Sequence, residues 1–170
     1  MTRRFANGVI GGDVELNQLQ EYFMNIATAK VSTSAEEARG LGYLRASDGI
    51  SLNRKRQLAD AKAKVISMSD LGYTQPIPQR NIKVLGKSGL AYFEAGIMGM
   101  IYGGFISEQD AKIAKKLANV MAGGDLSAPS EVTEPYLLDL EREAFLSLTG
   151  EKKTLERIHS ILFKGKPLRN

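Results

Sequence analysis

The chain has no cysteine, a single histidine and only five prolines in 170 residues. Without cysteine there is no disulfide framework, no thiolate nucleophile and no cysteine metal site, which agrees with a reducing compartment. His159 stands alone, so a multi-histidine metal centre within one chain is excluded. After Arg4 no apolar run reaches signal-peptide length. No membrane span is expected, because Glu94 interrupts the one apolar stretch that barely approaches spanning length. Internal repeats and low-complexity segments are absent. So is a glycine-rich phosphate fingerprint: GGDVEL and GGDLSAP have neither its spacing nor a preceding strand. There is no persuasive Ser/His/Asp set. His159 lies four residues after Leu155 and three before Leu162, within an apolar stripe, and reads as a packed or partly packed structural histidine rather than a catalytic base.

What is present is a chain long enough for one domain, with 43% hydrophobic residues, which argues against disorder. A net charge of +4 and a pI near 9.3 permit phosphate-bearing partners without demanding them. Residues 1–13 read as a flexible lead-in, and Met1 as either a natural start or the edge of a longer reading frame. Leu16, Leu19, Phe23, Ile26 and Ala27 trace one helix face. Ser34-Ala35-Glu36-Glu37 predicts a capping box and a short helix to Gly40 or Gly42, with Tyr43 and Leu44 extended beyond it. Asp48-Gly49 signals a turn. Asn53 caps a helix to about Ser69, with Leu58, Ala61, Val65 and Met68 inward and Arg54, Lys55, Arg56, Lys62 and Lys64 making its surface basic.

Pro76 and Pro78 mark an extended connector, followed by a short strand over 82–85. Ser88 opens a helix to Tyr102, on which Ala91, Ala95, Gly99 and Gly103 form a smooth stripe suited to close packing inside the domain. Gly103-Gly104 ends it, Ser107 with Asp110 starts the next, and Gly123-Gly124 ends that one at Met121. Tyr136 to Asn170 reads as a helical hairpin. Leu137, Leu140, Ala144 and Leu148 face inward on its first arm, after a Thr133 cap and Pro135. Leu155, Ile158, Leu162 and Phe163 form the stripe of the second arm, which ends at Gly165 with Lys164, Lys166 and Arg169. Glu141 and Glu143, two apart, cannot face one another, and Asp139 with Glu143 reads as a solvated acidic face.

Two segments carry a family resemblance. AKVSTSAEEARGLGYL (Ala29 to Leu44) resembles the "SAEEA…LGL" helix and turn of the crotonase (enoyl-CoA hydratase/isomerase) family, and ERIHSILFKGKP (Glu156 to Pro167) resembles its closing helix. More closely, Leu16 to Asn170 is similar to the extreme C-terminus of the bacterial bifunctional 3-hydroxyacyl-CoA dehydrogenase/enoyl-CoA hydratases of fatty-acid β-oxidation. FISEQDA (Phe105 to Ala111), KLANVMAGGD (Lys116 to Asp125), YLLDLEREAFLSL (Tyr136 to Leu148) and the terminal GKPLRN carry that match.

The resemblance implies a mainly α fold, the helical C-terminal part of a crotonase-type domain, with six or seven helices and little or no sheet. Its expected divisions are the lead-in 1–13, crotonase-type helices over 14–72, a Pro-containing connector over 73–86 and a C-terminal helical region over 87–170. The dinucleotide motif, the oxyanion-hole amides and the catalytic glutamates of the family lie upstream, so no catalytic residue and no metal site is assigned here and the chain alone is expected to be inactive. The parent is expected to use NAD and an acyl-CoA substrate, to be cytoplasmic and to bind no nucleic acid.

Alignment of the tail places Lys164 at the family's coenzyme A phosphate contact, although Gly165 replaces the usual arginine and Ile161 a frequent aromatic. The other reading of Lys164, a cation compensating a helix C-terminus, stays open. Expected partners are the remainder of the parent enzyme, acyl-CoA and, through apolar surface left uncovered, further copies of the chain. The competing functional readings are a basic helical nucleic-acid-binding module using Arg54, Lys55, Arg56, Lys62 and Lys64, and a stand-alone helical scaffold.

Overall fold

A computed structural model describes residues 1–8 and 15–170. Among these the elements are α1 (Thr2–Gly8), α2 (Glu15–Ala27), α3 (Ala35–Gly40), a 3₁₀ turn (Arg54–Arg56), α4 (Gln57–Asp70), β1 (Ile82–Val84), α5 (Gly86–Tyr102), α6 (Glu108–Ala122), β2 (Ser130–Val132), α7 (Glu134–Thr149) and α8 (Lys152–Lys164). The chain is mainly α, as expected. The lead-in contributes a helix: α1 buries Phe5. The rest of the expected lead-in, 9–13, lies outside the described residues.

The chain forms two units, Met1–Lys30 with Gln79–Asn170, and Val31–Pro78. The core of the larger unit sits where α5 and α6 pack as an antiparallel hairpin against α2 and α1. Phe93 and Ile97 of α5 meet Ala114, Ala118 and Met121 of α6, with Leu19, Phe23 and Phe5 closing the cluster. Small residues on α6 let the helices approach, and the rings of Phe23 and Phe93 stack with centroids 4.5 Å apart. A second cluster joins Ile82 and Val84 of β1 to Leu137 of α7. Here β1 pairs antiparallel with β2, Ile82 opposite Val132 and Val84 opposite Ser130. The sequence analysis expects β1 but names no strand at β2, since a three-residue strand has too few positions to show a period.

Two glycines hold this junction. Gly86 has φ +57°, and a Cβ there would lie 2.6 Å from the Leu126 carbonyl oxygen. Gly123 ends α6 at φ +88°, with room for a Cβ denied by Val84. Ion pairs Arg3–Glu134 (2.8 Å) and Lys83–Glu15 tie α1 to α7 and β1 to α2. The helix expected to open at Ser88 begins at Gly86. The Ser88 hydroxyl donates to the Leu85 carbonyl (2.8 Å) rather than accepting an amide. On α5 the buried positions are Gly86, Gly89, Phe93 and Ile97, so Ala91, Ala95 and Gly99 face solvent. The expected packing stripe is therefore on the other side: Phe93 and Ile97 offer more apolar area to bury than alanine and glycine do.

In the smaller unit Ser34 caps α3, accepting from the Glu37 amide at 3.0 Å, while the Glu37 carboxylate reaches past Ser34 to the amide and hydroxyl of Thr33, both 2.6 Å. Tyr43 and Leu44 are not extended. Both amides donate to the Ala38 carbonyl (2.8 and 3.1 Å) after Gly42 turns the chain at φ +74°. Asn53 caps as expected, accepting from the Lys55 amide at 3.0 Å, but first starts the 3₁₀ turn that leads into α4. No residue of α4 is buried: Leu58 and Val65 are 84% and 65% exposed, and the expected inward face is an outward one.

Candidate functional site

The sequence points to α8 and its tail. Three polar residues spaced by three, Thr154, Arg157 and Ser160, lie on the side of α8 that is turned into the larger unit. Arg157 is the centre of this face, its side chain only 15% exposed. Its guanidinium donates to Asp110 Oδ1 at 2.6 Å, to the Ser107 hydroxyl at 3.3 Å, and to the side-chain and main-chain oxygens of Asn170 at 2.8 and 3.2 Å. Thr154 accepts from Gln109 at 2.9 Å, and the Ser160 hydroxyl donates to the Lys166 carbonyl at 2.8 Å.

The tail can fold back because Gly165 takes the left-handed cap conformation, φ +63°. Asn170 then closes it, donating to the Glu156 carboxylate at 2.8 Å. At the other end of this network Asp110 and Ser107 form the capping box of α6. Partial burial pushes the Asp110 carboxyl up. The hydrogen bonds from Arg157 and from the amide and hydroxyl of Ser107, with the Arg157 charge, outweigh it and hold the group below its ordinary value of 3.8.

The apolar face of α8 therefore points the other way. Leu155, Ile158, Leu162 and Phe163, the expected apolar stripe, are exposed, Leu162 by 71% and Phe163 by 76%. The period is as expected, and the neighbour sets the direction: the first turn of α6 offers Asp110, Ser107 and Gln109, partners for a polar face. His159 shares the outward face, exposed, its ring centroid 4.6 Å from that of Phe163. It is not a packed core histidine. Lys164 ends α8, exposed and without an ion-pair partner among the described residues. With Lys152, Leu155, Glu156, His159, Ser160 and the tail residue Leu168 it lines an open groove of about 470 Å³. Lys152 and Lys164 stand at opposite ends of α8 with the Glu156 carboxylate between them, so an anion entering at the tail end meets the Lys164 ammonium beside the apolar Leu168.

The chain is similar to part of a probable 3-hydroxyacyl-CoA dehydrogenase. It is 46% identical over 166 residues to the protein of that name from Bacillus subtilis (strain 168), a match covering 98% of this chain and 21% of the relative. The chain thus spans about a fifth of the length of the curated relative it matches. No family model and no solved structure matches.

Within the region shared with that dehydrogenase, the other candidates are dispersed. Asp139 pairs with Arg142 rather than acting beside Glu143, and Glu141 and Glu143 are solvated. Arg54, Lys55, Arg56, Lys62 and Lys64 are all exposed on the 3₁₀ turn and α4, with Arg56 donating to Asp60 at 3.4 Å. Among the described residues no three His, Asp or Glu side chains gather to hold a metal, and no helix is long and apolar enough to cross a membrane.

The sequence reading overlooked Arg157 and Asn170. The signal available was the i, i+3, i+6 spacing of Thr154, Arg157 and Ser160, a polar stripe as regular as the apolar one.

Proposed function

We propose that this chain is the helical region of a fatty-acid β-oxidation enzyme of the 3-hydroxyacyl-CoA dehydrogenase type, joined in the parent to crotonase-type enoyl-CoA hydratase machinery. In this reading it supports acyl-CoA binding and assembly and does not turn over substrate alone. The similarity over 98% of the chain carries the reading, and the resemblance of its SAEEA and closing-helix segments supplies the crotonase part. NAD, which accepts hydride in such an enzyme, finds no fitting site among the described residues. Both strand-to-helix junctions among them are used internally. At α5 the Lys87 amide donates to the Leu126 carbonyl at 2.8 Å, and at α7 Thr133 caps the first turn beside the acidic Glu134. The dinucleotide belongs to the remainder of the parent.

Coenzyme A is the ligand this reading assigns to the groove on α8: Lys164 supplies a point charge for phosphate at the tail end and Leu168 an apolar contact, with the Glu156 carboxylate further along the same groove. The deciding experiment replaces the matched segment of the Bacillus subtilis relative with this chain. We expect the chimera to oxidise a 3-hydroxyacyl-CoA as the parent does, while the isolated chain shows no hydratase or dehydrogenase turnover. A folded chimera without activity, or turnover by the chain alone, overturns the reading. Calorimetry with coenzyme A tests the groove: Lys164→Ala weakens binding about tenfold if it makes a charged hydrogen bond to phosphate.

A further inference from the structure

We infer that the outward face of α8, Leu155, Ile158, Leu162 and Phe163, is the surface on which the remainder of the longer polypeptide docks, through an apolar patch rimmed with carboxylates. This rests on the functional reading above and adds which face makes the joint and what its partner looks like.

Three observations carry it. First, α8 is held to its own unit by polar side chains. Arg157 and Thr154 are hydrogen-bonded to Asp110 and Gln109 of α6 and Ser160 is buried, so the helix cannot turn to bury its leucines without breaking the Arg157–Asp110 pair at 2.6 Å. An amphipathic helix anchored by its polar side presents its apolar side to something else.

Second, the surface is predominantly positive. Residues 151–170 hold six cations and two carboxylates, which accounts for the whole formal net charge of +4. Arg157 is spent on Asp110, leaving Lys152, Lys153, Lys164, Lys166 and Arg169 around the exposed leucines. Two copies meeting through this face would bring ten such cations together, which disfavours a symmetric pair. A partner rimmed with Asp and Glu is favoured instead.

Third, the relative is about five times longer than the shared region. That leaves ample polypeptide in the same molecule to supply such a surface at high effective concentration.

The test uses the chimera described above, with Leu162→Glu and Phe163→Glu combined, and Tyr102→Glu as a control at a similarly exposed aromatic of α5, 82% exposed. Circular dichroism of the isolated chain checks that each variant folds, as substitutions at exposed positions should. A second measurement mixes the isolated chain with the relative lacking its matched segment and reads complex formation by sedimentation.

The inference expects a complex that weakens about thirtyfold in the double variant, and with rising salt, but not in the control. It also expects parallel loss of chimera activity. An active chimera that the double variant leaves unchanged overturns the docking face while the functional reading stands. An inactive wild-type chimera beside a face-dependent complex overturns the functional reading and keeps the face. Dimers of the isolated chain that the double variant dissolves, or capture by anionic phosphatidylglycerol vesicles with no complex formed, overturn the proposed occupant.

Discussion

In the larger unit Phe23 stacks on Phe93 and Ala118 is fully buried. In Val31–Pro78 the buried apolar residues are Ala38 and Leu41, and α4 runs its whole length without one. The local signals are the same in both. Ser34 caps α3 as Ser107 caps α6, Asn53 opens the 3₁₀ turn before α4 as Thr133 opens α7, and glycines end the helices. The difference is that α5, α6 and α2 meet three deep, each offering apolar residues at matching positions, whereas α4 has no such layer on it. Caps and propensity make a helix. Burial against a second and third element makes a core, and most helical stability comes from that.

The sharpest way to break the contrast is to empty the core of the larger unit. Phe93→Ala should cost about 4 kcal/mol, read as a lowered urea midpoint. A loss under about 1 kcal/mol would mean that the Phe23–Phe93 stack is not the centre of that unit. Next comes the latch: Arg157→Ala leaves Asp110 part-buried without its cation and should cost about 2 kcal/mol. Hydrogen exchange should quicken in residues 165–170 before the rest of the larger unit, and unchanged exchange there would refute the latch.

The same carboxyl provides a pH test. Because the folded-state pKa of Asp110 lies below its unfolded value, its contribution is complete above about pH 4 and is lost as pH falls through the folded value. Asp110→Asn should flatten that acid limb of the stability curve, and a variant with the wild-type limb would show that Asp110 does not carry it.

Ser107→Ala and Ser34→Ala should each cost about 1 kcal/mol but report differently. The first should lower the global midpoint, and the second should quicken exchange over α3 alone. Equal global shifts would erase the distinction between the units. The smallest effect belongs to Val65→Ala, below about 0.5 kcal/mol. A larger loss by urea melting would show that this face of α4 is covered in solution.

Much of the fold was legible residue by residue. The stripe Leu16, Leu19, Phe23 was read correctly, as were the caps at Ser34, Asn53, Ser107 and Thr133, and the helix ends at Gly40, Gly103, Gly123 and Gly165. Leu137 inward on α7 was also right. The candidate site was half legible. Lys164 ends its helix as expected, but the residue that organises the site is Arg157, whose partners lie 47 and 13 positions away in the chain.

By itself the sequence determined most of the helix caps and ends and that α7 and α8 are two-faced. These follow from hydrogen bonds reaching four residues back and from side chains repeating every 3.6 residues. Only the tertiary structure decided which face turns inward. On α7 it is Leu137, buried, with Leu140 partly buried against the same cluster; on α8 it is the polar stripe, because Asp110 and Ser107 at the start of α6 meet Arg157 there. The direction of a helix face depends on what its neighbour presents, and that neighbour is set by contacts far apart in sequence.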